Sequence, residues 1–292
     1  MLTRREFLLA ALFVPPAAAI LRAIRRDESP FVGGEVFSEI VRRVRDDHLD
    51  KLPIGLLTGD IGMMLQGTPY VGSTLELSED REVCSVNLLG LDCVTFYEVA
   101  LGLARMVRHG GTKPVDLLKE IQLTRYRGGK LDGYLSRLHY TSDWIDDNER
   151  KGVVTNLTPE LPGASRMDKS FDFMSRHPQL YRQLRAHREL VPLMATIEKQ
   201  ISARRPWYVP NDRVAAIEPL LQTGDIVGIA TTAAGLDCSH TGLIYVDEIQ
   251  VRRFLNASSI KKQVVLGERL SEYATKYRNN LGVMIARPTP AA

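Results

Sequence analysis

The amino-acid sequence predicts an α+β fold, in which a helical N-terminal half packs on a C-terminal antiparallel β-sheet. Two observations support this prediction. Apolar residues recur at helical spacing before Gly224, and short β-rich runs dominate after it. Helices followed by strands, rather than a regular alternation of the two, are typical of α+β proteins. With 292 residues, of which 44% are hydrophobic, the chain can bury a substantial core without disulfide bonds.

The first helix is predicted over Glu35–Leu49, where four apolar residues lie on one stripe. Residues 67–92 are rich in Gly, Ser, Thr and Asn, which indicates a structured loop. A central buried helix follows from Cys93 to His109, again with apolar residues at helical spacing. Asp92 is a good N-cap residue, because its carboxylate can accept hydrogen bonds from free backbone N–H groups. This cap places Cys93 in the first helical turn.

The rest of the chain divides into helices and then strands. A polar and aromatic segment, Tyr134–Asn148, precedes further helices across Lys169–Ser202, and the stretch Val154–Ala164 is interpreted as a surface loop. The apolar residues that mark the last of these helices are Leu190, Leu193, Met194, Ile197 and Ile201. Strands are predicted at Asp225–Ala230, Thr241–Val246, Val251–Leu255, Gln263–Leu266 and Leu281–Arg287.

The charge pattern gives no sign of a nucleic-acid partner. The formal net charge is +3, and lysines and arginines are interspersed with aspartates and glutamates along the whole chain. Nucleic-acid-binding proteins instead concentrate basic residues on one face. No nucleic-acid partner is therefore predicted.

The N-terminus resembles a twin-arginine export signal. Arg4-Arg5 precedes the apolar run Leu9–Val14 and the small residues Ala17–Ala19. The apolar run is too short to cross a bilayer comfortably as a permanent helix. Residues 1–19 are therefore predicted to be an export signal, which implies a periplasmic protein that meets the membrane only through this segment. A surface helix and an uncleaved anchor are the alternatives.

Cysteine chemistry is the next signal. Cys84, Cys93 and Cys238 form an odd set, so at least one thiol is free under any intramolecular pairing. A cysteine at a helix N-terminus is special, because the free N–H groups and the helix dipole favour the thiolate. The adjacent Asp92 opposes this effect unless its carboxylate caps the helix. The alternative is that Cys93 is a small buried hydrophobic residue.

A nucleophilic thiol also needs an imidazole to take its proton and a third group to orient that ring. His240 opens an apolar strand, so rigid structure would hold its side chain. Asn256 follows on the next predicted strand, where its amide could face the ring. Cys93, His240 and Asn256 are therefore predicted to form a catalytic triad.

A zinc site is the competing interpretation of the same residues. Cys238 and His240 could be combined with Cys84 or Cys93 as ligands. Their spacing matches no closed structural zinc site, and no second histidine follows at helical spacing. Neither a metal nor another cofactor is predicted.

Three motifs resemble the NlpC-type papain-like cysteine peptidases of bacterial cell walls. They are Leu91-Asp92-Cys93-Val94-Thr95-Phe96, Ser239-His240-Thr241-Gly242-Leu243 and Phe254-Leu255-Asn256-Ala257-Ser258. Thr68-Pro69-Tyr70 is similar to the tyrosine motif that precedes the nucleophile in this family. The N-acetylmuramoyl-L-alanine amidase-like branch is resembled most closely, through Arg137-Leu138-His139-Tyr140, Asp143-Trp144 and Phe173-Met174-Ser175. The match covers residues 35–288.

The resemblance implies one papain-like catalytic domain over residues 35–288 that hydrolyses an amide in peptidoglycan stem peptides through an acyl-enzyme. It implies that Cys93 is the nucleophile, His240 the base and acid, and Asn256 the orienting group. Tyr70 would lie beside the sulfur and hold the substrate or the oxyanion. Two features depart from the family pattern: the insert before Cys93 is longer, and Asn256 stands where many relatives carry histidine.

The remaining predicted substrate-binding residues are Asp92, Arg137, His139, Tyr140, Trp144 and Ser239. The aromatic residues among them are equally compatible with core packing, and Arg137 with an ion pair to Asp143. Two other functions stay open: a non-catalytic peptidoglycan-binding module, and a cysteine hydrolase or acyltransferase acting on another amide or ester. The bond cut is either the muramoyl–L-alanine amide or the γ-D-glutamyl bond to the diamino acid.

Overall fold

The computed structural model describes residues 30–290, so the predicted export signal at residues 1–19 lies outside the described part. The α-helices are α1 (Gly34–Asp46), α2 (Ile54–Met64), α3 (Cys93–Arg108), α4 (Pro114–Arg125), α5 (Thr141–Arg150), α6 (Phe173–Arg176), α7 (Arg182–Ala186), α8 (Leu190–Arg204), α9 (Val214–Ile217) and α10 (Leu270–Lys276). The strands are β1 (Phe31–Val32), β2 (Val86–Asn87), β3 (Val154–Asn156), β4 (Ser165–Arg166), β5 (Trp207–Pro210), β6 (Ile226–Thr231), β7 (Cys238–Val246), β8 (Arg252–Ser258), β9 (Gln263–Arg269) and β10 (Asn280–Pro288). Among residues 30–290, no helix is long and apolar enough to cross a membrane.

The chain has a mixed α/β fold whose main sheet is antiparallel, as predicted. Its strand order is β4-β5-β10-β6-β7-β8-β9, and β3 also pairs with β10. The predicted strands correspond to β6 through β10 and are confirmed with ends shifted by a few residues. The interpretation of Val154–Ala164 as a surface loop is wrong at its start, because Val154–Asn156 pairs with Ala286–Pro288.

The two faces of the sheet border two apolar layers, because successive side chains of a strand point to opposite faces. On β6, Ile226 and Ala230 belong to the larger cluster, which also contains α3. Val227 and Ile229 belong to the smaller cluster, to which α9 and α10 contribute. Helix α3, which begins at Cys93, packs against β7 and β8, the strands that contain His240 and Asn256.

Helix α3 is the central helix that the apolar spacing predicts, and most of its residues are buried. Helices α2 and α4 pack against it, and the sequence analysis does not predict either. Helix α2 is apolar on nearly all sides, so its residues form no stripe that would reveal the helical period. In α8 the predicted apolar stripe is partly wrong, because Leu193 is 53% exposed.

Candidate active site

The N-terminus of α3 is closed by Asp92, as predicted. Asp92 Oδ1 accepts hydrogen bonds from the backbone N–H groups of Val94, at 3.1 Å, and Thr95, at 2.8 Å. The Asp92 N–H donates in return to Thr95 Oγ1 at 2.8 Å, which completes a capping box. The carboxylate is thus committed to the helix backbone, and the Cys93 N–H takes no part in the cap.

Cys93 is half-buried in the first turn of this helix. Burial raises the pKa of its thiol to about 12, and the charge of Asp92 acts in the same direction. Hydrogen-bond donors of Thr241 and the Cys93 N–H oppose this rise. Thr241 Oγ1 also donates to the Cys93 carbonyl oxygen at 2.7 Å, which ties β7 to the helix N-terminus. The resting group is therefore a neutral thiol beside strand β7.

His240 and Asn256 meet across β7 and β8, as the sequence predicts. His240 Nε2 lies 2.9 Å from Asn256 Oδ1. Asn256 Nδ2 donates to the Phe254 carbonyl oxygen at 3.1 Å, which fixes the orientation of the amide. The amide oxygen must then accept, so Nε2 carries the proton and Nδ1 is the basic nitrogen of the neutral ring.

The pKa of His240 is lowered from 6.5 because the ring is buried, although the Asn256 hydrogen bond and the charge of Asp92 act in the opposite direction. The neutral imidazole is therefore retained to lower pH than in an exposed histidine. A neutral thiol and a neutral imidazole are matched for proton transfer during attack, rather than for a permanent ion pair.

Gly242 explains why the two strands can approach so closely at this point. A Cβ on Gly242 would lie 2.5 Å from the Leu255 carbonyl oxygen and 2.9 Å from Asn256 Cβ. A side chain here would push β8 away from β7 and separate the histidine from the asparagine. The glycine after His240-Thr241 is therefore a steric requirement of the pair.

Tyr70 is brought beside the first turn of α3 although a long insert separates it from Cys93. The backbone of Val71 donates to Leu91 O at 3.0 Å, and Leu91 donates to Pro69 O at 3.0 Å, so the insert leaves and returns at the same point. Burial raises the pKa of the Tyr70 phenol, with smaller contributions from the charges of Cys93 and Asp92. The phenol is thus a protonated donor within electrostatic reach of the thiol.

Two aromatic side chains that the sequence analysis does not assign to the site surround the histidine. Tyr273 of α10 stacks on the imidazole with ring centroids 5.8 Å apart and an interplanar angle of 24°. Phe254 presents its ring to His240 at 5.7 Å and 80°. Helical spacing of Leu270, Tyr273 and Ala274 is the sequence signal that could have indicated an inward-facing Tyr273.

Arg137 forms ion pairs with the insert that precedes Cys93. Its side chain is buried and pairs with Glu76 at 2.5 Å, and its Nε lies 3.4 Å from Glu82. The predicted alternative pair with Asp143 is wrong, because Asp143 is held by two other arginines, Arg127 and Arg204. Arg137 therefore anchors the insert that precedes Cys93 and has no free edge to offer a substrate carboxylate.

The aromatic cluster corresponds to its core-packing interpretation. Tyr140 is 3% exposed and donates to Glu198 Oε1 at 2.6 Å. Trp144 is 1% exposed and packs edge-on against Tyr97, one turn beyond Cys93 on α3. Neither side chain has surface available for a substrate, which corrects the prediction that they line the cleft.

His139 and Ser239 differ in accessibility. His139 Nε2 lies 3.0 Å from the Tyr134 carbonyl oxygen, and burial holds the pKa of its ring well below 6.5. Ser239 is exposed on β7 directly before His240. Ser239 is therefore the more accessible of the two predicted substrate-binding residues.

The zinc interpretation depends on a cluster of ligands. Within residues 30–290, no group of three or more His, Cys, Asp or Glu side chains is arranged to hold a metal ion. Cys84 Sγ lies 3.7 Å from the Leu118 carbonyl oxygen, and Cys238 Sγ lies 3.9 Å from Met284 Sδ.

The fold is that of the amidase-like class. An N-acetylmuramoyl-L-alanine amidase from Bacteroides uniformis superposes with a TM-score of 0.74 and 32% sequence identity, over 80% of this chain and 98% of that chain. The family model AmiA-like, described as N-acetylmuramoyl-L-alanine amidase-like, matches residues 60–283. The chain belongs to this family.

Two further structures extend the comparison. A Bacteroides fragilis protein, provisionally described as a xylanase, has a TM-score of 0.70 and 35% identity over 78% of this chain and 99% of that chain. A Legionella pneumophila protein of family DUF1460 is 19% identical and shares the fold, with a TM-score of 0.66 over 88% of this chain and 95% of that chain. No curated protein sequence matches this chain significantly.

Proposed function

We propose that the chain is an exported cysteine amidase of the NlpC-type papain-like class, which cleaves an amide bond in peptidoglycan stem peptides. Membership of the N-acetylmuramoyl-L-alanine amidase-like family supports a cell-wall substrate. The observation that carries the catalytic assignment is the hydrogen bond of 2.9 Å between His240 and Asn256, on the strands beside the Cys93 helix. It leaves Nδ1 as the base that a neutral thiol requires.

In the first half-reaction, the Cys93 thiol proton passes to His240 Nδ1 while the sulfur attacks the amide carbonyl carbon. The carbonyl oxygen becomes an oxyanion, for which the Cys93 N–H and the Tyr70 phenol are the proposed donors. The imidazolium then gives its proton to the leaving nitrogen, the C–N bond breaks, and a thioester remains on Cys93.

In the second half-reaction, His240 removes a proton from water as the water oxygen attacks the thioester carbonyl. Collapse of this intermediate returns the electron pair to sulfur, and the imidazolium reprotonates it. Throughout, Asn256 accepts the Nε2–H bond and keeps Nδ1 directed to the reacting atoms. The products are one carboxylic acid and one amine, with one water consumed.

We propose the amide between N-acetylmuramic acid and L-alanine as the bond that is cut. The family description and the description of the Bacteroides uniformis protein both name this bond, which supports the choice. The γ-D-glutamyl bond to the diamino acid is the alternative within the same chemistry. The two differ in whether the L-alanine amine or the diamino acid amine is released.

The test is mass spectrometry of purified muropeptides, with and without the glycan, after incubation with the wild type and with Cys93→Ala under reducing conditions. The muramoyl–L-alanine cut yields free glycan and an intact stem peptide, whereas the γ-D-glutamyl cut leaves L-alanine and D-glutamate on the glycan. Cys84→Ala is the matched control, because Cys84 is also a half-buried free cysteine. Unchanged muropeptides with the wild type would refute the proposed activity.

The other functions give different outcomes in the same experiment. A binding module would retain wall fragments equally well with Cys93→Ala and release no fragments. A zinc enzyme would lose activity with a strong chelator, whereas the proposed enzyme would not. Glycoside hydrolysis needs two free carboxyl groups on either side of the bond, and Asp92, the carboxylate beside Cys93, is occupied by the helix cap.

Export through the twin-arginine pathway is part of the proposal and rests on the sequence of residues 1–19. Its test is cell fractionation with Arg4 and Arg5 both replaced by lysine. The wild type is expected in the periplasm and the variant in the cytoplasm, and identical distributions would refute the proposed signal.

A further inference from the structure

Helix α10 places a tyrosine against the proposed base. Leu270 and Ala274 are fully buried in the smaller apolar cluster, and Tyr273 projects from the same side of the helix. Asn280 Nδ2 donates to the Tyr273 carbonyl oxygen at 3.1 Å and ties the helix to β10. The packing of helix α10 therefore fixes the backbone position from which the Tyr273 side chain extends toward His240.

The imidazole of His240 is enclosed on two sides by this arrangement. Tyr273 covers one face at 5.8 Å and 24°, and Phe254 meets the ring nearly at right angles at 5.7 Å. The two aromatic rings also contact each other, with centroids 4.7 Å apart. Stacked and edge-on contacts of this kind restrict the tilt of the imidazole plane.

Tyr273 is also close to the nucleophile. Burial raises the pKa of the Tyr273 phenol, and the charges of Tyr277 and then of a Cys93 thiolate add smaller contributions in the same direction. The same side chain thus stacks on the proposed base and lies within electrostatic reach of the proposed nucleophile.

A hydrogen bond between partly buried neutral groups is stronger and better directed when water cannot compete for its donor and acceptor. The bond from His240 Nε2 to Asn256 Oδ1 is such a bond. An aromatic ring stacked on the imidazole excludes water from this hydrogen bond. It also restricts the tilt of the imidazole, and so fixes the direction of Nδ1. We propose that Tyr273 is a positioning residue, whose aromatic ring shields the His240–Asn256 hydrogen bond and fixes the imidazole for proton transfer.

This inference rests on the proposed function, because it treats His240 as the base. The first experiment therefore does not measure activity. In the wild type, the Nε2–H proton of His240 is observed by NMR with labelled histidine, assigned by its loss in His240→Gln. We expect exchange with water that is slow enough to leave a resolved signal at neutral pH. Rapid exchange in the wild type would overturn the shielding role.

The second experiment compares Tyr273→Leu with Tyr273→Phe. Because burial lowers the pKa of His240, removal of the ring should move its titration upward, toward 6.5. The acid limb of kcat/KM should move with it, and kcat/KM should fall about twofold to tenfold, the factor that such aromatic contacts are worth. Tyr273→Phe keeps the ring and should keep the titration of the wild type.

Tyr277→Leu is the matched control, because this tyrosine contacts Tyr273 at 5.6 Å and makes no ring contact with His240. Its titration of His240 should equal that of the wild type. Equal titration curves in Tyr273→Leu and the wild type would overturn the inference. A shifted His240 titration in a protein that releases no muropeptide fragments would leave the positioning intact and refute the proposed function instead.

Discussion

The most informative single substitution is Asn256→Ala. It removes the acceptor of the Nε2–H bond at 2.9 Å, and with it the reason for the ring to carry its proton on Nε2. A neutral hydrogen bond of this type contributes about 1 kcal/mol net. The loss of the correct tautomer adds to this, because a proton on Nδ1 blocks the base. We expect kcat/KM to fall about 10- to 100-fold, which corresponds to about 1.4 to 2.7 kcal/mol of transition-state stabilisation.

The assay is the initial rate of muropeptide cleavage as a function of pH, together with urea unfolding. Asn148→Ala is the matched control for stability, because its buried amide donates to two backbone carbonyls far along the chain from the site. Both variants should lose about 1 to 2 kcal/mol of unfolding free energy. Only Asn256→Ala should also lower kcat/KM, because only this variant removes the hydrogen bond that keeps the His240 proton on Nε2. Asn256→Asp keeps an acceptor and adds a charge, so it should raise the pKa of His240 and move the acid limb upward. Wild-type rates in Asn256→Ala would refute the assignment of Asn256 as the orienting group.

Four further predictions test the site and the residues that support it. Because burial lowers the pKa of His240 below 6.5, the ring is fully neutral above that lowered pKa, so kcat/KM should fall only as pH drops through it. The thiol of Cys93, with a pKa of about 12, should react with iodoacetamide ever faster up to strongly alkaline pH, and a reactivity plateau near neutral pH would indicate an ion pair instead. Gly242→Ala should cost about 1 to 3 kcal/mol of unfolding free energy through overpacking, whereas Gly34→Ala, with no atom within 4 Å of the new methyl group, should cost none in urea denaturation. Arg137→Met should cost about 3 to 5 kcal/mol by leaving buried carboxylates unpaired, and an unchanged stability with a raised KM would restore its predicted role in substrate binding.

The candidate residues of the site could be predicted from the sequence because each belongs to a short sequence pattern. Asp92 and Cys93 form a helix start, and His240 and Asn256 lie on neighbouring strands of one hairpin. Contacts within a cap or across a hairpin involve residues close in sequence, so composition and periodicity contain them. The catalytic role of these residues stays a prediction that muropeptide cleavage must test.

Contacts between distant segments could not be predicted in the same way. Arg137 pairs with Glu76, 61 positions away, and no local signal identifies that partner. Tyr273 lies in a helix whose stripe can be recognised, but its position over His240 depends on how α10 packs on β8, β9 and β10. The short strands β3 and β4 are not predicted, because two or three residues carry no measurable alternation.

The insert before Cys93 shows why sequence separation alone is a weak guide to the site. The spacing from Tyr70 to Cys93 departs from the resembled family, which at the level of sequence puts the position of the tyrosine in doubt. The backbone bonds of Leu91 to Pro69 and Val71 close the insert at its base. The buried pair of Arg137 and Glu76 then holds its interior. The insert therefore adds chain outside the closing bonds, so its length can vary without displacing Tyr70 from the first turn of α3.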